Sequence, residues 1–245
     1  MQMHASYKKN IYKDLVTPLL FETLSILENK KKSYSLLDLG CGHGSVLFSL
    51  KLLGFLKKAI ITGIDKDKKA LKTFKENFPH ATVLSADISI RTSIKSNSFD
   101  VAICNQVVEH IDDDDFFVSE IYRILKKQGH IYIGSVLKKW YGLYWHRNIY
   151  GKIVVDPDHK REYRSVKEFE NLLIKNGFLI KKLAIIPGRL PLGDYFFLLL
   201  FKVGLIQFSD MRSFYFSHPK IYNTAKKIQL PLPGYAIIEA IAQKK

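Results

Sequence analysis

A glycine loop in a fixed setting constrains this chain more than any other feature. A short apolar run leads into Leu36-Leu-Asp-Leu-Gly-Cys-Gly-His-Gly44, and a helical stretch, Ser45–Leu53, follows at once. Glycines at a strand-to-helix turn let a bound group approach the backbone with no Cβ in the way. The helix behind the turn offers unpaired N–H groups to an electron-rich part of that group. The next apolar run, Ala59–Ile64, ends in Gly63-Ile-Asp65, which sets an acid 21 residues after Gly44. A carboxylate at the tip of a second strand can accept hydrogen bonds from ribose hydroxyls. The spacing is G-x-G-x-G after Asp38, not the G-x-G-x-x-G that seats a pyrophosphate on the helix. A nucleoside-containing cofactor fits this pattern, and a dinucleotide fits it poorly.

Strands and helices alternate around the loop. Apolar periodicity and breakers predict helices at Thr17–Lys32, Ser45–Leu53, Lys66–Asn77, Asp112–Lys127 and Ser165–Asn176. Strands are predicted at Ser35–Leu39, Ala59–Ile64, Ala81–Ala86, Phe99–Cys104, His130–Val136, Phe178–Ile186 and Tyr235–Ala242. Such alternation predicts a parallel sheet covered on both faces. Ser165 and Glu168 have capping-box spacing. Between the last two strands, Pro187–Pro233 holds five of the eight prolines and reads as an insertion. Only two cysteines occur, Cys41 and Cys104, which excludes a disulfide scaffold and fits a reducing compartment.

Further motifs occur in order. Ser85-Ala-Asp87 closes the third strand, and Phe99-Asp-Val-Ala-Ile-Cys-Asn-Gln-Val-Val-Glu-His-Ile111 covers the fourth. Ile121-Tyr-Arg-Ile-Leu-Lys-Lys-Gln-Gly-His-Ile-Tyr-Ile133 covers a helix and the fifth strand. With D-x-G-x-G-x-G and the acid ending strand two, they resemble the class I S-adenosylmethionine-dependent methyltransferases, in the quinone-biosynthesis-like branch. The resemblance covers residues 36–135 well, 156–186 moderately and the insertion not at all. It implies an α/β fold: a Rossmann-like, seven-stranded, mostly parallel sheet with helices on both faces, an antiparallel last strand and an insertion before it. One methyltransferase domain over 1–245 is expected. Within it lie a helical cap (1–34), a cofactor-binding core (35–136) and acceptor-side insertions (137–164 and 187–233).

The resemblance also implies roles for single residues. Asp38, Gly40, Cys41 and Gly42 would line the methionine end of S-adenosylmethionine, Cys41 being an interchangeable loop position. Asp65, with Lys66 beside it, would hold the ribose. Asp87 would meet the adenine amino group, Ile88 the ring, and Asn105 would lie under the methionine moiety. Transfer of an activated methyl asks mainly for alignment, and a base is needed only for a hydroxyl or a protonated amine. Similar methyltransferases carry H-x-x-E-Y facing the acceptor. Here Asp156-Pro-Asp-His-Lys-Arg-Glu-Tyr163 makes His159 the candidate base, with Glu162 and Tyr163 as partners. A hydrogen-bonded loop clamp is the other reading of this stretch. One quinone-biosynthesis branch has a Glu-x-x-Glu-His pattern associated with a divalent metal. Gln106 holds the first position here, so no metal is expected and His110 is read as packing at a helix start. Asp112–Asp115 reads as the acidic first turn of a helix.

The formal net charge of +15 is unevenly spread. Residues 1–136 hold 19 basic and 15 acidic side chains; residues 137–245 hold 19 and 8. The excess therefore lies on the acceptor side. There Lys138–Arg147 interleaves bases with aromatics, including Trp140 and Trp145. Tyr195–Phe201 is the longest unbroken apolar run, far short of the ~20 residues that span a bilayer. It is a candidate pocket lid, interfacial helix or dimer contact. The expected acceptor is small or lipid-like and anionic, and an anionic membrane surface ranks above nucleic acid as a partner. The opening MQMHASYKKNIYKDLV has no apolar leader core, so a cytoplasmic protein is expected, or one peripheral at the inner membrane surface. Two other functions stay open: a tRNA methyltransferase, disfavoured by dispersed lysines, and a non-catalytic cofactor-binding partner protein.

Overall fold

The computed structural model describes residues 16–30, 32–142, 146–190, 192–207, 214 and 218–245. Trp145 and the first part of the expected N-terminal cap lie outside these residues. The chain runs α1 (Pro18–Lys30), β1 (Tyr34–Leu39), α2 (Ser45–Leu52), β2 (Ala59–Asp65), α3 (Lys68–Asn77), β3 (Thr82–Ser85) and β4 (Phe99–Asn105). A 3-10 turn (Val108–His110), α4 (Asp114–Ile124) and β5 (Leu125–Lys138) follow. Next come a hairpin of β6 (His146–Arg147) and β7 (Ile153–Val154), α5 (Val166–Lys175) and β8 (Phe178–Leu190). The chain ends in α6 (Leu192–Lys202), α7 (Pro219–Lys227) and β9 (Leu230–Lys244).

Seven strands form one sheet in the order β3-β2-β1-β4-β5-β9-β8. All neighbours are parallel except at β9, which runs antiparallel to both β5 and β8. The expected sheet with its antiparallel last strand is the one that forms. Successive side chains point to opposite faces of a strand, and here both faces are apolar. Leu37, Leu39, Ala102, Ile131 and Ile133 join one core with Phe117 and Ile121 of α4 and Phe169 of α5. Leu36, Val101, Ile103 and Tyr132 join a second core with Leu24 of α1, Leu47 of α2 and Phe74 of α3. Strand order reverses between β1 and β4. Open α/β sheets bind ligands in a crevice at such a switch point, beyond the carboxyl ends of the strands. Register sets Asp38 beside Gly63 and Ile103, Asp65 beside Ser85, and Asn105 beside Gly134, all at that edge.

Three local expectations need correction. Helix α4 ends at Ile124, not Lys127, and Leu125 is already extended and paired with Phe99. The tight return that follows holds Gln128 at φ 61, and Lys126 reaches Asp100 at 2.8 Å. At α5, Ser165 caps the helix by accepting the Glu168 N–H (3.2 Å), but the reciprocal half of the box is missing. The Glu168 carboxylate instead accepts the Arg164 N–H at 2.8 Å and pairs with Arg161. Finally, the last two strands do not stop at Ile186 and Tyr235. They continue as a two-stranded arm, pairing Arg189 with Pro231 and Leu190 with Leu230. Helices α6 and α7 sit at its tip around a small cluster of Phe214, Tyr222 and Ala225.

Candidate functional site

A crevice of about 640 Å³ opens at the switch point. Gly40, Asp65, Lys66, Asp87 and Ile88 line it on one side, and Gln106, Val107 and His110 on the other. Five residues expected from the sequence thus meet in one place. Gly40 and Gly42 have φ of 63° and 49°, a left-handed backbone that favours glycine. A Cβ on Gly40 would fall 2.6 Å from Val107, whereas one on Gly42 would meet nothing within 4 Å. The turn is therefore open at Gly42, although Gly42, like Asp38 and Asn105, does not line the crevice. The Gly42 N–H is held by the Asp65 carboxylate at 2.8 Å, which ties the loop to the tip of β2. Gly40→Ala combines a strained φ with the Val107 clash. It is expected to cost at least about 1–2 kcal/mol and to abolish any ligand-induced rise in Tm, read by thermal denaturation.

The other cofactor-side residues differ in exposure. Asp87 accepts the Ser89 N–H and hydroxyl at 2.8 and 2.7 Å, and these bonds hold its carboxyl below the usual range. Asp38 is buried, and burial and then the charge of Asp65 push its carboxyl up to about 8. Asn105 lies beside Gly134 with Tyr132 near its side chain. Cys41 turns inward, into the core with Leu47 and Phe74, and does not line the crevice.

The acceptor-side residues form a second group. The loop 156–163 is stitched to the 3-10 turn: Lys160 and Arg161 donate backbone N–H groups to the Glu109 carbonyl. His159 is buried with its Nδ1 2.8 Å from Glu162 Oε1. Burial opposes a charge on this imidazole. The Glu162 bond and the charges of Glu109, Glu162 and Asp156 outweigh it, so the His159 pKa lies above its ordinary value. Glu162 also accepts the Val155 N–H, and the Lys138 ammonium stands 3.7 Å from its other oxygen. Glu109 is fully buried; burial lifts its carboxyl to about 7, against a Ser135 hydrogen bond of 3.0 Å.

Tyr163, by contrast, does not line the crevice. Its hydroxyl donates to Asp114 at 2.8 Å and its ring stacks edge-on against Phe169. Tyr163→Phe is expected to lower stability by about 1–3 kcal/mol in urea titration, because it strips a buried carboxylate of a donor.

Sequence reasoning missed the company His159 keeps. Its ring lies 5.0 Å from His110, edge to face. Glu109, His110 and His159 offer ligand atoms within 4.8 Å of one another. Glu109 Oε1 is buried with no hydrogen-bond partner among the described residues. One carboxylate and two imidazoles suit a divalent transition metal. The Glu109-His110 pair was visible in the chain; its third member lies 49 residues on from His110. A second cavity of about 610 Å³ adjoins this group, lined by Lys138, Lys152, Arg164 and Glu162. It shares Asp112 and Lys160 with the cofactor crevice. Tyr150 spans the pair, its hydroxyl bonded to Asp112 and its ring beneath the Lys152 and Lys160 ammoniums.

Residues 37–133, which carry the glycine loop, Asp65 and Asp87, match the methyltransferase domain family. Over that stretch the chain resembles the class I S-adenosylmethionine-dependent methyltransferases. Asp65 and Asp87, which line the crevice, suit a nucleoside ligand. The chain is similar to the ubiquinone biosynthesis O-methyltransferase of Bartonella quintana (strain Toulouse). The two are 28% identical over 180 residues, covering 69% of this chain and 65% of the relative. With the protein of the same name from Pelagibacter ubique (strain HTCC1062), identity is 31% over 136 residues, or 54% and 51% of the chains. The match thus spans less than two thirds of these curated relatives. Among solved structures, a putative methyltransferase from Bacillus halodurans C-125 superposes with a TM-score of 0.61 at 17% identity, covering 91% and 97% of the two chains. A phosphoethanolamine N-methyltransferase from Haemonchus contortus, bound to S-adenosyl-L-methionine, gives 0.56 at 19%, covering 91% and 52%. These last two likenesses concern the fold alone.

Proposed function

We propose that this chain is an S-adenosylmethionine-dependent methyltransferase that methylates a hydroxyl of a small, lipid-like, anionic acceptor reached from an anionic membrane surface, and not RNA. The observation that carries the reading is the buried His159–Glu162 pair, with Glu162 on the wall of a lysine-lined cavity that shares Asp112 and Lys160 with the crevice. The name of the curated relatives, O-methyltransferase, supports a hydroxyl.

S-adenosylmethionine, when bound, supplies a methyl already activated on a sulfonium. Asp65 and Asp87 would hold its nucleoside, with Gly40, Gly42, Lys66 and Ile88 shaping the seat and Asp38 and Asn105 at the methionine end. The chain's remaining work is to orient the acceptor and remove one proton. Glu162 fixes the His159 ring through Nδ1, which leaves Nε2 to take the hydroxyl proton. Glu109 and Glu162 stabilise the imidazolium that results. Lys138, Lys152, Lys160 and Arg164 supply positive charge for an acceptor anion.

A second reading rests on Glu109, His110 and His159 as ligands of a divalent cation, which would acidify the hydroxyl in place of a base. One experiment addresses both. Calorimetry should show S-adenosylmethionine binding; no affinity would sink the assignment. Methyl transfer is then compared between an alkyl catechol carboxylate, its neutral analogue and bulk tRNA. Transfer favouring the carboxylate and unaffected by EDTA supports the base. Loss on chelation, restored by a divalent cation, supports the metal. Transfer to tRNA alone, or binding with no transfer, would replace the proposal with one of the alternatives.

A further inference from the structure

We propose that the outer face of α6 is a docking surface for an anionic lipid bilayer. Helix α6 has two apolar sides. The inner one is already used: Phe197 packs on Phe214, Tyr222 and Ala225, and Gly193 lies against Ala225. This cluster shares no residue with the two sheet cores. The outer side keeps Tyr195, Phe196, Leu199, Val203 and Leu205 between 53% and 72% exposed. A contiguous apolar patch of this kind on a soluble fold marks an interaction surface. Its aromatics suit the headgroup boundary, where Tyr and Phe bury apolar rings and leave the backbone wet.

Charge selects the occupant. From residue 187 to 233 the chain holds six Lys or Arg against two Asp or Glu. Arg189, Lys202, Lys220 and Lys227 are exposed. Lys202 ends α6, and apolar contact within a segment rich in exposed cations matches an anionic leaflet, where each nearby cation adds about 1 kcal/mol. No helix among the described residues is long and apolar enough to cross a membrane, so docking would be interfacial. The inference rests on the membrane-surface part of the proposed function, which it locates on α6, and is independent of how His159 acts.

The test is co-sedimentation of the full chain with phosphatidylcholine vesicles, with and without phosphatidylglycerol. Binding is expected only with phosphatidylglycerol and should weaken with salt. Phe196→Glu with Leu199→Glu should lower the bound fraction on the order of tenfold or more. S-adenosylmethionine affinity measured by calorimetry should not change, which reports an intact fold. Phe196→Trp with Leu199→Trp should retain binding. Absence of vesicle binding by the unaltered chain overturns the proposal, as does undiminished binding by the Glu pair. A dimer in sedimentation velocity that the Glu pair splits, without any vesicle binding, would reassign the face to a second copy of the chain.

Discussion

Replacing His159 with alanine is expected to lower turnover by about 10²–10⁴-fold while leaving S-adenosylmethionine affinity unchanged. The effect is large because the Glu162 carboxylate holds the His159 imidazole in one orientation. The pH profile separates a base from a packed histidine. A base must be neutral to act, and the His159 pKa is raised. The rate should therefore climb with pH along a limb centred above 6.5. Glu162→Gln keeps a hydrogen-bonding side chain but removes a charge that favours the imidazolium, so the limb should move to lower pH. Stability should follow the same group with the sign set by linkage. A histidine raised on folding contributes fully below pH 6.5, and that contribution fades as pH rises through its folded value. Unchanged turnover in His159→Ala, or a limb that Glu162→Gln leaves in place, would reduce the loop to a clamp.

The cofactor side was readable from the sequence because its determinants are local. Asp38 and Asp65 lie at strand ends and Asp87 two residues beyond one, and the register of a parallel sheet carries strand ends to one edge. The acceptor side was readable only in part. His159 and Glu162 are three residues apart, so their pairing showed. Glu109 and His110 reach them through a turn and a loop that meet only in three dimensions. Tyr163 illustrates the opposite failure, since a short motif fixes spacing but not direction. Its hydroxyl turns to Asp114, a residue the sequence offered only as part of an acidic helix start. Cys41 fails likewise: between two left-handed glycines its side chain faces the core, with Sγ close against Gly63. The arm beyond Pro187 was hidden by its prolines. They read as breakers, yet Pro187 and Pro231 sit within paired strands beside a bulge.

Cofactor binding is expected to release a proton, and Asp38 is the group that loses it. Its carboxyl is buried, and desolvation and the neighbouring Asp65 charge raise it from 3.8 to about 8. At neutral pH it is therefore mostly protonated in the free protein. S-adenosylmethionine carries a sulfonium and an ammonium at the methionine end, which the family resemblance sets beside Asp38. A cation there favours the carboxylate, so binding below pH 8 must expel the proton. Affinity should then rise by up to about tenfold per pH unit until pH 8 and level off above it. Calorimetry in buffers of different ionisation enthalpy should count about one proton released at pH 6.5 and none at pH 9. Asp38→Asn should abolish the release and weaken binding about 10–100-fold, the worth of a hydrogen bond to a charged group. Stability of the free protein gives an independent reading of the same carboxyl. A carboxyl raised on folding holds its proton more tightly in the native state, so stability falls as pH climbs from about 4 to 8. The Asn variant should flatten that slope. Proton release that persists in Asp38→Asn would move the titration to another group and remove Asp38 from the methionine end of the site.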